Sequence, residues 1–596
     1  MDGHLVTLIV VVIIAYLVLT NCRIVTSSSR VVVNGKTIVA NGDMAEDVEM
    51  RGGMDVLTVD ITDFDVEIVH DESAEAITFE EDDGLVIRLP ANFEGGLALT
   101  ARGESNVEVD HWRFGEVEIE NEGEGEITIG DLEEIGGLNV TSRHTGDISI
   151  GHINGRYANF VLEYEGDVTT GDITLSGDLD VQLSEDGSFT SGNIDAEGVT
   201  LNSTDDGDIN TAHINAAAKV TVTTGDGEND SMNADVSIES ITTGGGIDID
   251  AGGDHNIVVN GDLVAEKGTV ELTTRMDGNV NVGHITARAV KIRTYDDGDV
   301  TTGEIDSHSA VDIKTGTDDL DDAMNADVIV DAIRAGTEVD IDVGGDRPVT
   351  IHGEVTVTDG GSVSITTRLD GAAIMGDVNA GSVAIRTYDD GHVTTGEIKA
   401  GSKVSIDTGN DDLDDYMNAN VSVAAIAAGT RVEIDHGGDG AVTVDGGVHV
   451  ESGSFFVRTQ QDGGVTVNGV SARVVEVDSS DDGPISLGDV HSDDYVTATL
   501  SEDGNVTIGA LTCDSFKGST EDDGNLTIGA ASVTTTFTAE ANDCGDITVA
   551  GLVAAELHLT ADASGTIYVN AGSAPKVFSS GRVRLAKSFQ NVGTAR

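Results

Sequence analysis

Two acidic segments hold the side chains whose type and spacing most favour metal chemistry. Their carboxylates are Asp318, Asp319, Asp321 and Asp322 in one segment and Asp411, Asp412, Asp414 and Asp415 in the other. Hard cations such as Ca²⁺ prefer oxygen ligands of this kind. These eight residues are therefore the candidate cation ligands, with calcium as the candidate ion and no other cofactor expected. Because the spacing fits neither an EF-hand loop nor a calcium-binding β-roll repeat, solvated acidic loops are the alternative.

Paired acids of the kind that hydrolyse glycosidic bonds also recur along the chain. Asp297 and Asp390 are copies of each other, because the sequence of residues 292–298 recurs at 385–391. A catalytic pair should be singular and lie among unlike residues. Asp before Gly also suits a tight turn, in which glycine permits positive φ and the carboxylate bonds the backbone. We therefore expect turns here, no catalytic residues and no enzymatic activity.

The remaining reactive side chains form no recognisable site. Among the histidines, His308, His392 and His436 show no metal-ligand spacing. The cysteines are Cys22, Cys513 and Cys544. Cys513 and Cys544 are separated by about one and a half of the repeats described next, which predicts free thiols instead of a disulfide.

Glycine after an acidic or polar residue recurs every 19 to 23 positions. The series is Gly84, Gly103, Gly125, Gly146, Gly166, Gly187 and Gly207, and again Gly440, Gly463, Gly483, Gly504, Gly524, Gly545 and Gly565. After each glycine, apolar residues alternate with polar ones, as in Val506 and Ile508. This period of two predicts short strands with one inward face.

A longer period of 92 to 93 residues lies over the first. Residues 232–236 (MNADV) recur at 324–328 and, as MNANV, at 417–421. A block of about four turns is therefore duplicated in tandem within residues 207–480.

Short strands cannot satisfy their own backbone groups, and no apolar run in the repeats is long enough for a helix. Stacking turns about 4.8 Å apart pairs each strand with its copies above and below. We therefore predict an all-β chain, a single-stranded parallel β-helix (β-solenoid) with turns of about 20–23 residues. A β-rich cap is expected at 31–83, the solenoid at 84–572, and a basic tail or cap at 573–596.

The N-terminus carries an apolar run at residues 5–20, followed by Cys22. Its length predicts a signal peptide or membrane anchor over residues 1–30. Residues 19–22 resemble a lipoprotein lipobox imperfectly, since Asn21 departs from it. Cleavage, lipidation and uncleaved anchoring all stay open. We expect an extracellular or cell-surface location, with membrane contact only through this segment.

Charge narrows the possible partners. The formal net charge of −77 excludes nucleic acid as a partner, because the surface repels polyanions. Residues 574–596 instead hold five basic and no acidic residues. This asymmetry predicts head-to-tail self-association, with a capping segment as the alternative.

Several segments carry a family resemblance. They are residues 66–70, 80–87, 166–173 and 187–194. Together they resemble the auto-transporter adhesins with a head GIN domain, over about residues 50–570. The likeness implies an exported, bacterial-type, right-handed β-helix with an adhesive or envelope role and no active-site residues. The corner departs from that family, which tends to carry Ser-Gly where this chain carries Asp-Gly or Glu-Gly.

Three functional classes follow from these observations. A non-enzymatic structural or adhesive surface protein, able to form filaments or bind a surface or matrix ligand, accounts for the periodicity and the N-terminal segment. A cation-binding extracellular matrix protein accounts for the acidic segments. A β-helix polysaccharide lyase or hydrolase accounts for the fold alone. We expect the first.

Overall fold

The structure is a computed structural model. It describes residues 29–40, 43–44, 56–74, 76–81, 84–91, 93–225, 235–252, 256–275, 277–295, 297–315, 326–344, 346–368, 370–388, 390–408, 419–562 and 564–591. The N-terminal apolar run, Cys22 and the acidic segments at 318–322 and 411–415 lie outside these residues. The chain forms two compact units, Met1–Ala196 (unit 1) and Glu197–Arg596 (unit 2).

The regular structure of the described residues is β-strand, and about 22 turns of parallel β-solenoid confirm the predicted fold. Unit 1 contains β1 Arg30–Val33, β2 Lys36–Ala40, β3 Asp43–Met44, β4 Val56–Thr62, β5 Val66–Asp71, β6 Thr78–Glu81, β7 Leu85–Pro90, β8 Gly96–Gly103, β9 Val107–Val109, β10 Trp112–Arg113, β11 Glu116–Gly123, β12 Ile127–Ile129, β13 Leu132–Ile135, β14 Gly137–Ser142, β15 Ile148–Ile150, β16 Ile153–Gly155, β17 Ala158–Leu162, β18 Val168–Thr170, β19 Ile173–Leu175, β20 Leu179–Leu183, β21 Phe189–Ser191 and β22 Ile194–Ala196.

Unit 2 also consists of short β-strands. Its first half contains β23 Val199–Ser203, β24 Ile209–Ala216, β25 Val220–Thr224, β26 Val236–Thr243, β27 Ile247–Ala251, β28 Ile257–Val259, β29 Leu263–Thr274, β30 Val280–Val282, β31 Ile285–Thr294, β32 Val300–Ser307, β33 Ala310–Thr315, β34 Val328–Ala335, β35 Glu338–Val343, β36 Val349–Ile351, β37 Val355–Val357, β38 Ser362–Thr367, β39 Ala373–Met375, β40 Val378–Ala380, β41 Ser382–Thr387, β42 Val393–Ala400 and β43 Lys403–Thr408. Its second half contains β44 Val421–Ala428, β45 Arg431–His436, β46 Val442–Val444, β47 Val448–Val450, β48 Ser454–Thr459, β49 Val465–Ala472, β50 Val474–Ser479, β51 Ile485–Ser492, β52 Tyr495–Leu500, β53 Val506–Ile508, β54 Leu511–Cys513, β55 Ser515–Thr520, β56 Leu526–Val533, β57 Thr536–Ala541, β58 Ile547–Val553, β59 Glu556–Ala561, β60 Ile567–Val569, β61 Gly572–Ala574, β62 Lys576–Ser580, β63 Val583–Leu585 and β64 Gln590–Asn591.

Antiparallel pairing occurs near the N-terminus of unit 1. Strand β1 pairs antiparallel with β2 and β4, and β6 pairs antiparallel with β7. Asn34 and Gly35 join β1 to β2 with φ of 48° and 75°, the left-handed pair that a type I′ hairpin turn requires. Strand β4 then pairs parallel with β8, which begins the stacked turns.

Each turn has three strand positions. A first strand follows the corner glycine, a second strand follows it, and a third strand ends at the next corner. After Gly504 these strands are β53, β54 and β55, whereas β56 joins the first two without a break. Residues 226–234, 316–325 and 409–418, which lie outside the described residues, each come between a third strand and the next first strand in the sequence.

The core is a set of inward ladders in register. Val311 pairs with Val290 on one neighbouring turn and with Val339 on the other. Within β33 the residues Val311 and Ile313 are fully buried, while Asp312 and Lys314 alternate with them at half-buried outward positions. The predicted alternation is confirmed, because successive side chains of a strand point to opposite faces. Within the described ranges, no helix reaches the length and hydropathy needed to span a membrane.

Candidate functional site

Stacked corner glycines leave no room for a side chain. A Cβ added to Gly483 would lie 2.3 Å from the carbonyl oxygen of Gln461 and 2.4 Å from that of Gly463. Of the corner glycines named above, all of them described, only Gly103 has a positive φ, of 68°. The prediction that glycine serves at the corner by permitting positive φ is therefore wrong for most of these turns. Glycine is needed because the backbones of successive turns approach closely.

Buried hydroxyl groups donate hydrogen bonds to the backbone carbonyls of many corner glycines. Thr459 donates a hydrogen bond to the Gly483 carbonyl at 3.1 Å, and Ser203 donates to the Gly207 carbonyl at 2.7 Å. Both side chains are fully buried and lie four residues before a corner glycine. A buried acceptor without a partner would be costly, so these bonds stabilise the turn. The signal for these bonds in the sequence is a Ser or Thr four residues before the corner glycine, a spacing that the acid next to glycine does not reveal.

His436 occupies the same buried position in β45. Its Nδ1 contacts the Thr408 hydroxyl, and its Nε2 lies 2.8 Å from the Gly440 carbonyl oxygen. With Nε2–H donating to that carbonyl, Nδ1 accepts from the hydroxyl, and both ring nitrogens of the neutral imidazole are satisfied. Burial lowers the pKa of His436, against the opposing effects of the Gly440 hydrogen bond, Asp435 and Asp439. The histidine is a core residue.

Asn and Asp side chains directly after the corner glycines link one turn to the next. Oδ1 of Asn505 accepts the Asn525 N–H at 3.2 Å, and Oδ1 of Asn525 accepts the Asp546 N–H at 3.1 Å. Oδ1 of Asp546 accepts the Thr566 N–H at 2.8 Å. These side-chain oxygens accept hydrogen bonds from the backbone of the next turn, and the sequence analysis did not predict this role.

Asp462, Asp481 and Asp482 form an acidic cluster at two stacked corners. One carboxylate oxygen from each lies within 4.8 Å of the others. Partial desolvation, followed by the charges of Asp503, Asp462 and Asp481, raises the pKa of Asp482. Corner acids of these successive turns therefore lie close together. Carboxylate oxygens this close can hold a divalent cation.

The eight acids predicted as cation ligands lie outside the described residues. They are Asp318, Asp319, Asp321, Asp322, Asp411, Asp412, Asp414 and Asp415. Their coordination stays a prediction. The corner cluster was missed because it joins acids from two turns, and the doubled Asp before Gly483 was its only signal in the sequence.

Asp297 and Asp390 lie at equivalent corners of two duplicated blocks. The next residue is glycine in each case, and its carbonyl accepts a buried threonine hydroxyl, Thr274 at 3.0 Å and Thr367 at 3.2 Å. The two acids thus have matching surroundings. This repetition supports a role in the turn.

The other sequence-selected side chains are also engaged in the fold. Nδ1 of His392 accepts the Asn420 N–H at 3.0 Å, and Nδ1 of His308 lies 3.1 Å from the Ala287 carbonyl oxygen. Cys513 and Cys544 are free thiols, as predicted. Burial raises the pKa of Cys513 to about 12, so this thiol is unreactive at neutral pH.

An open groove of about 470 Å³ on unit 1 gathers carboxylates from separate strands. Its walls include Asp65, Glu67, Glu108 and Glu126, with Thr128 beside them. Such a groove can attract cations, and two of its acids could in principle serve acid–base chemistry on a sugar. Sequence reasoning missed it because its residues come from different turns.

A hydroxyl column runs along the first strands of unit 2. We give this name to Thr394, Ser422, Thr443, Thr466, Ser486, Thr507, Thr527 and Thr548, which pair in register from turn to turn. All eight are outward. Five are exposed and three, Ser422, Thr443 and Thr548, are half-buried. Within the described part none of their hydroxyls bonds another protein group.

Charge is missing from this column. The equivalent position holds Ile374 in the preceding turn and Tyr568 in the following one. By contrast, the outward column of the third strands carries Lys291, Asp312 and Asp340 in successive turns. The column therefore presents uncharged hydroxyls about 4.8 Å apart on a strongly acidic molecule.

No family model matches the chain, and neither a curated protein nor a solved structure matches it. Of the predicted resemblance, the structure supports the β-helix repeats, whereas the family itself and its adhesive role stay predictions.

Proposed function

We propose that this chain is a non-enzymatic extracellular or cell-surface protein with a structural and adhesive role. The hydroxyl column carries the proposal, with uncharged, hydroxyl-rich polymers such as neutral polysaccharides as its ligands. Hydroxyl groups both donate and accept hydrogen bonds, so a column of them is complementary to a polyol. The net charge of −77 disfavours anionic polymers on the same surface.

Repetition supports the structural part of the proposal. In the described part of unit 2, neighbouring turns reuse the same polar positions. Buried hydroxyls such as that of Thr459 and corner side chains such as Asn525 bond from one turn to the next. Asp297 and Asp390 illustrate this, since their surroundings match. A scaffold that copies one environment suits many weak, equivalent contacts better than one singular reaction site.

Binding to insoluble polysaccharides tests the adhesive face. The double variant Thr507→Glu/Thr527→Glu places two charges in the column. Its matched control, Thr512→Glu/Ser532→Glu, places the same charges at exposed second-strand positions of the same two turns. We expect binding to neutral polymers to fall by about tenfold or more only in the first variant. Equal losses in both variants, or no binding by the wild type, would overturn the adhesive role.

A cation-binding matrix role is the second candidate, and the Asp462, Asp481 and Asp482 cluster favours it. Isothermal titration with Ca²⁺, repeated on Asp481→Asn/Asp482→Asn, tests it. Heat of binding that persists unchanged in the variant would show that calcium binds elsewhere. The acids at 318–322 and 411–415 would then be substituted in the same way.

The enzymatic rival is a polysaccharide lyase or hydrolase, and the groove of unit 1 is where its acids would act. Incubation with neutral and anionic polysaccharides tests this rival. New reducing ends or unsaturated products that disappear with Glu108→Gln would overturn the non-enzymatic proposal.

Export is the part of the proposal that depends on residues 1–30. Surface labelling of intact cells, with mass analysis of the mature N-terminus, distinguishes cleavage, lipidation at Cys22 and uncleaved anchoring. Protein found solely inside the cell would contradict it.

A further inference from the structure

The last turn of unit 2 is paired on one side. Strand β62 pairs with β59, β63 with β60, and β64 with β61. Within the described ranges, no strand pairs with the other side of these three. We call β62, β63 and β64 with their connections the C-terminal turn. Its outer side presents unpaired backbone donors and acceptors, the feature by which sheet edges add further strands.

Apolar side chains are exposed at this edge. Phe578 and Leu585 are 49% and 37% exposed, and Val577 and Val583, which continue inward ladders, are half-exposed. The equivalent position one turn earlier, Leu557 in β59, is fully buried. Within the described residues, no further turn covers these side chains, whereas a neighbouring turn covers Leu557.

The charge of this edge opposes that of the rest of the chain. Its basic residues are Lys576, Arg582, Arg584 and Lys587, and residues 574–591 contain no acid. Lys576 pairs with Glu556 at 3.4 Å. Arg582 donates to the Ser564 carbonyl at 3.2 Å, and Arg584 lies over the Tyr568 ring. Within the described part the two arginines and Lys587 have no carboxylate partner.

A complementary edge exists in unit 1. Strand β6 is bonded to β7 alone among the described strands. It lies in residues 71–74 and 76–81, which hold four acids and no basic residue and which we call the acidic edge segment. Glu80 pairs with Arg88 at 3.0 Å, whereas Glu72 is exposed and has no such partner in the described part.

We infer that the C-terminal turn of one copy docks on the acidic edge segment of a second copy. Strand-edge pairing, burial of Phe578 and Leu585, and opposite charge all act in the same direction. The inference rests on the proposed structural role and supplies its self-association surface. Because the two surfaces differ, a dimer keeps one free C-terminal turn and one free acidic edge segment, and association continues past the dimer.

Sedimentation velocity of the full chain over a range of concentrations tests this surface. The wild type should associate at low ionic strength and dissociate near about 1 M NaCl, where charges are screened within about 3 Å. Arg582→Glu/Arg584→Glu/Lys587→Glu should weaken association by about tenfold or more. The matched control, Lys267→Glu/Arg288→Glu/Lys517→Glu, reverses three exposed basic residues elsewhere in unit 2 and should behave as the wild type.

A charge swap keeps the test decisive if a reversed variant folds poorly. Glu72→Lys/Glu80→Lys/Glu81→Lys should also fail to self-associate, yet should bind the Arg582, Arg584 and Lys587 variant when the two are mixed. A wild type that stays monomeric, or equal weakening by the control, would overturn this inference. Polysaccharide binding measured on the same samples reports separately on the adhesive role, which can survive that outcome.

Discussion

Val311 and Asp312 are adjacent residues with opposite environments. Val311 is fully buried between Val290 and Val339, whereas Asp312 points outward beside Arg293 and Lys314. Val311→Asp should reduce the free energy of unfolding by about 3 kcal/mol or more, because a carboxylate would be buried without a partner. Asp312→Asn should cost about 1 kcal/mol or less. Chemical denaturation measures both, and equal losses would mean that the two faces are inverted.

His436 makes the stability of unit 2 depend on pH. Because burial lowers its pKa in the folded state, the unfolded chain takes up the proton first as the pH falls below about 6.5. The folded state therefore loses stability below that pH and is unaffected by this group above it. The loss should approach about 1.4 kcal/mol per pH unit.

His436→Thr provides the comparison, since Thr408 and Thr459 fill the same position on the adjacent strands. Unfolding free energies measured from about pH 7.5 to about pH 5 should fall less steeply in the variant. The carboxylates are common to both proteins, so the difference in slope isolates the imidazole. Identical slopes would show that folding does not lower the pKa of His436.

At the scale of the strand and its corner, two glycines of unit 2 should respond oppositely to alanine. Gly483→Ala drives a Cβ into two backbone carbonyls, so we expect a loss of about 2 kcal/mol or more. A Cβ at Gly551 meets nothing within 4 Å and its φ is negative, so Gly551→Ala should be neutral or stabilising by about 0.5 kcal/mol. Thermal unfolding measures both, and similar shifts would contradict close stacking at the corner.

The sequence predicted the features that depend on residues close together in the chain. It did not predict those that depend on contacts between different turns. Alternation in β33 and the corner at Gly483 follow from neighbouring residues, so the strands, the turn length and the β-solenoid were predicted correctly. The reason that position 483 requires glycine was not predicted, because the obstructing carbonyls of Gln461 and Gly463 belong to the preceding turn.

The candidate sites were harder to predict for the same reason. The cluster of Asp462 with Asp481 depends on which corners stack, and the groove joins Asp65 to Glu108 across turns. In the hydroxyl column, each Thr looks like an ordinary outward strand residue. Its continuity emerges only when the register aligns Thr507 with Thr527.

At the scale of the whole molecule, the net charge of −77 is distributed along a repeating structure. Many turns add a corner acid near the acids of neighbouring turns, as Asp482 lies near Asp462 and Asp503. Outward pairs such as Lys403 with Glu433, at 2.9 Å, offset part of this repulsion. The imbalance between acids and bases leaves most of it to counterions.

We therefore expect the melting temperature to rise by many degrees between about 10 mM and about 1 M NaCl, since screening shortens from about 30 Å to about 3 Å. Calcium should raise it further than magnesium at equal ionic strength only where carboxylates coordinate the ion. Asp481→Asn/Asp482→Asn should remove the calcium increment if the corner cluster binds it. Asn at the acids of 318–322 and 411–415 should remove it if those segments do.

The salt series and the cation series thus separate screening from coordination. A large effect of NaCl with no difference between calcium and magnesium would assign the stabilisation to screening of the stacked corners alone. A melting temperature that changes with neither NaCl nor divalent cations would contradict the stacking itself. Acids brought together on successive turns must respond to ionic strength. The carboxylates would then have to lie farther apart than Asp462 and Asp482 do here.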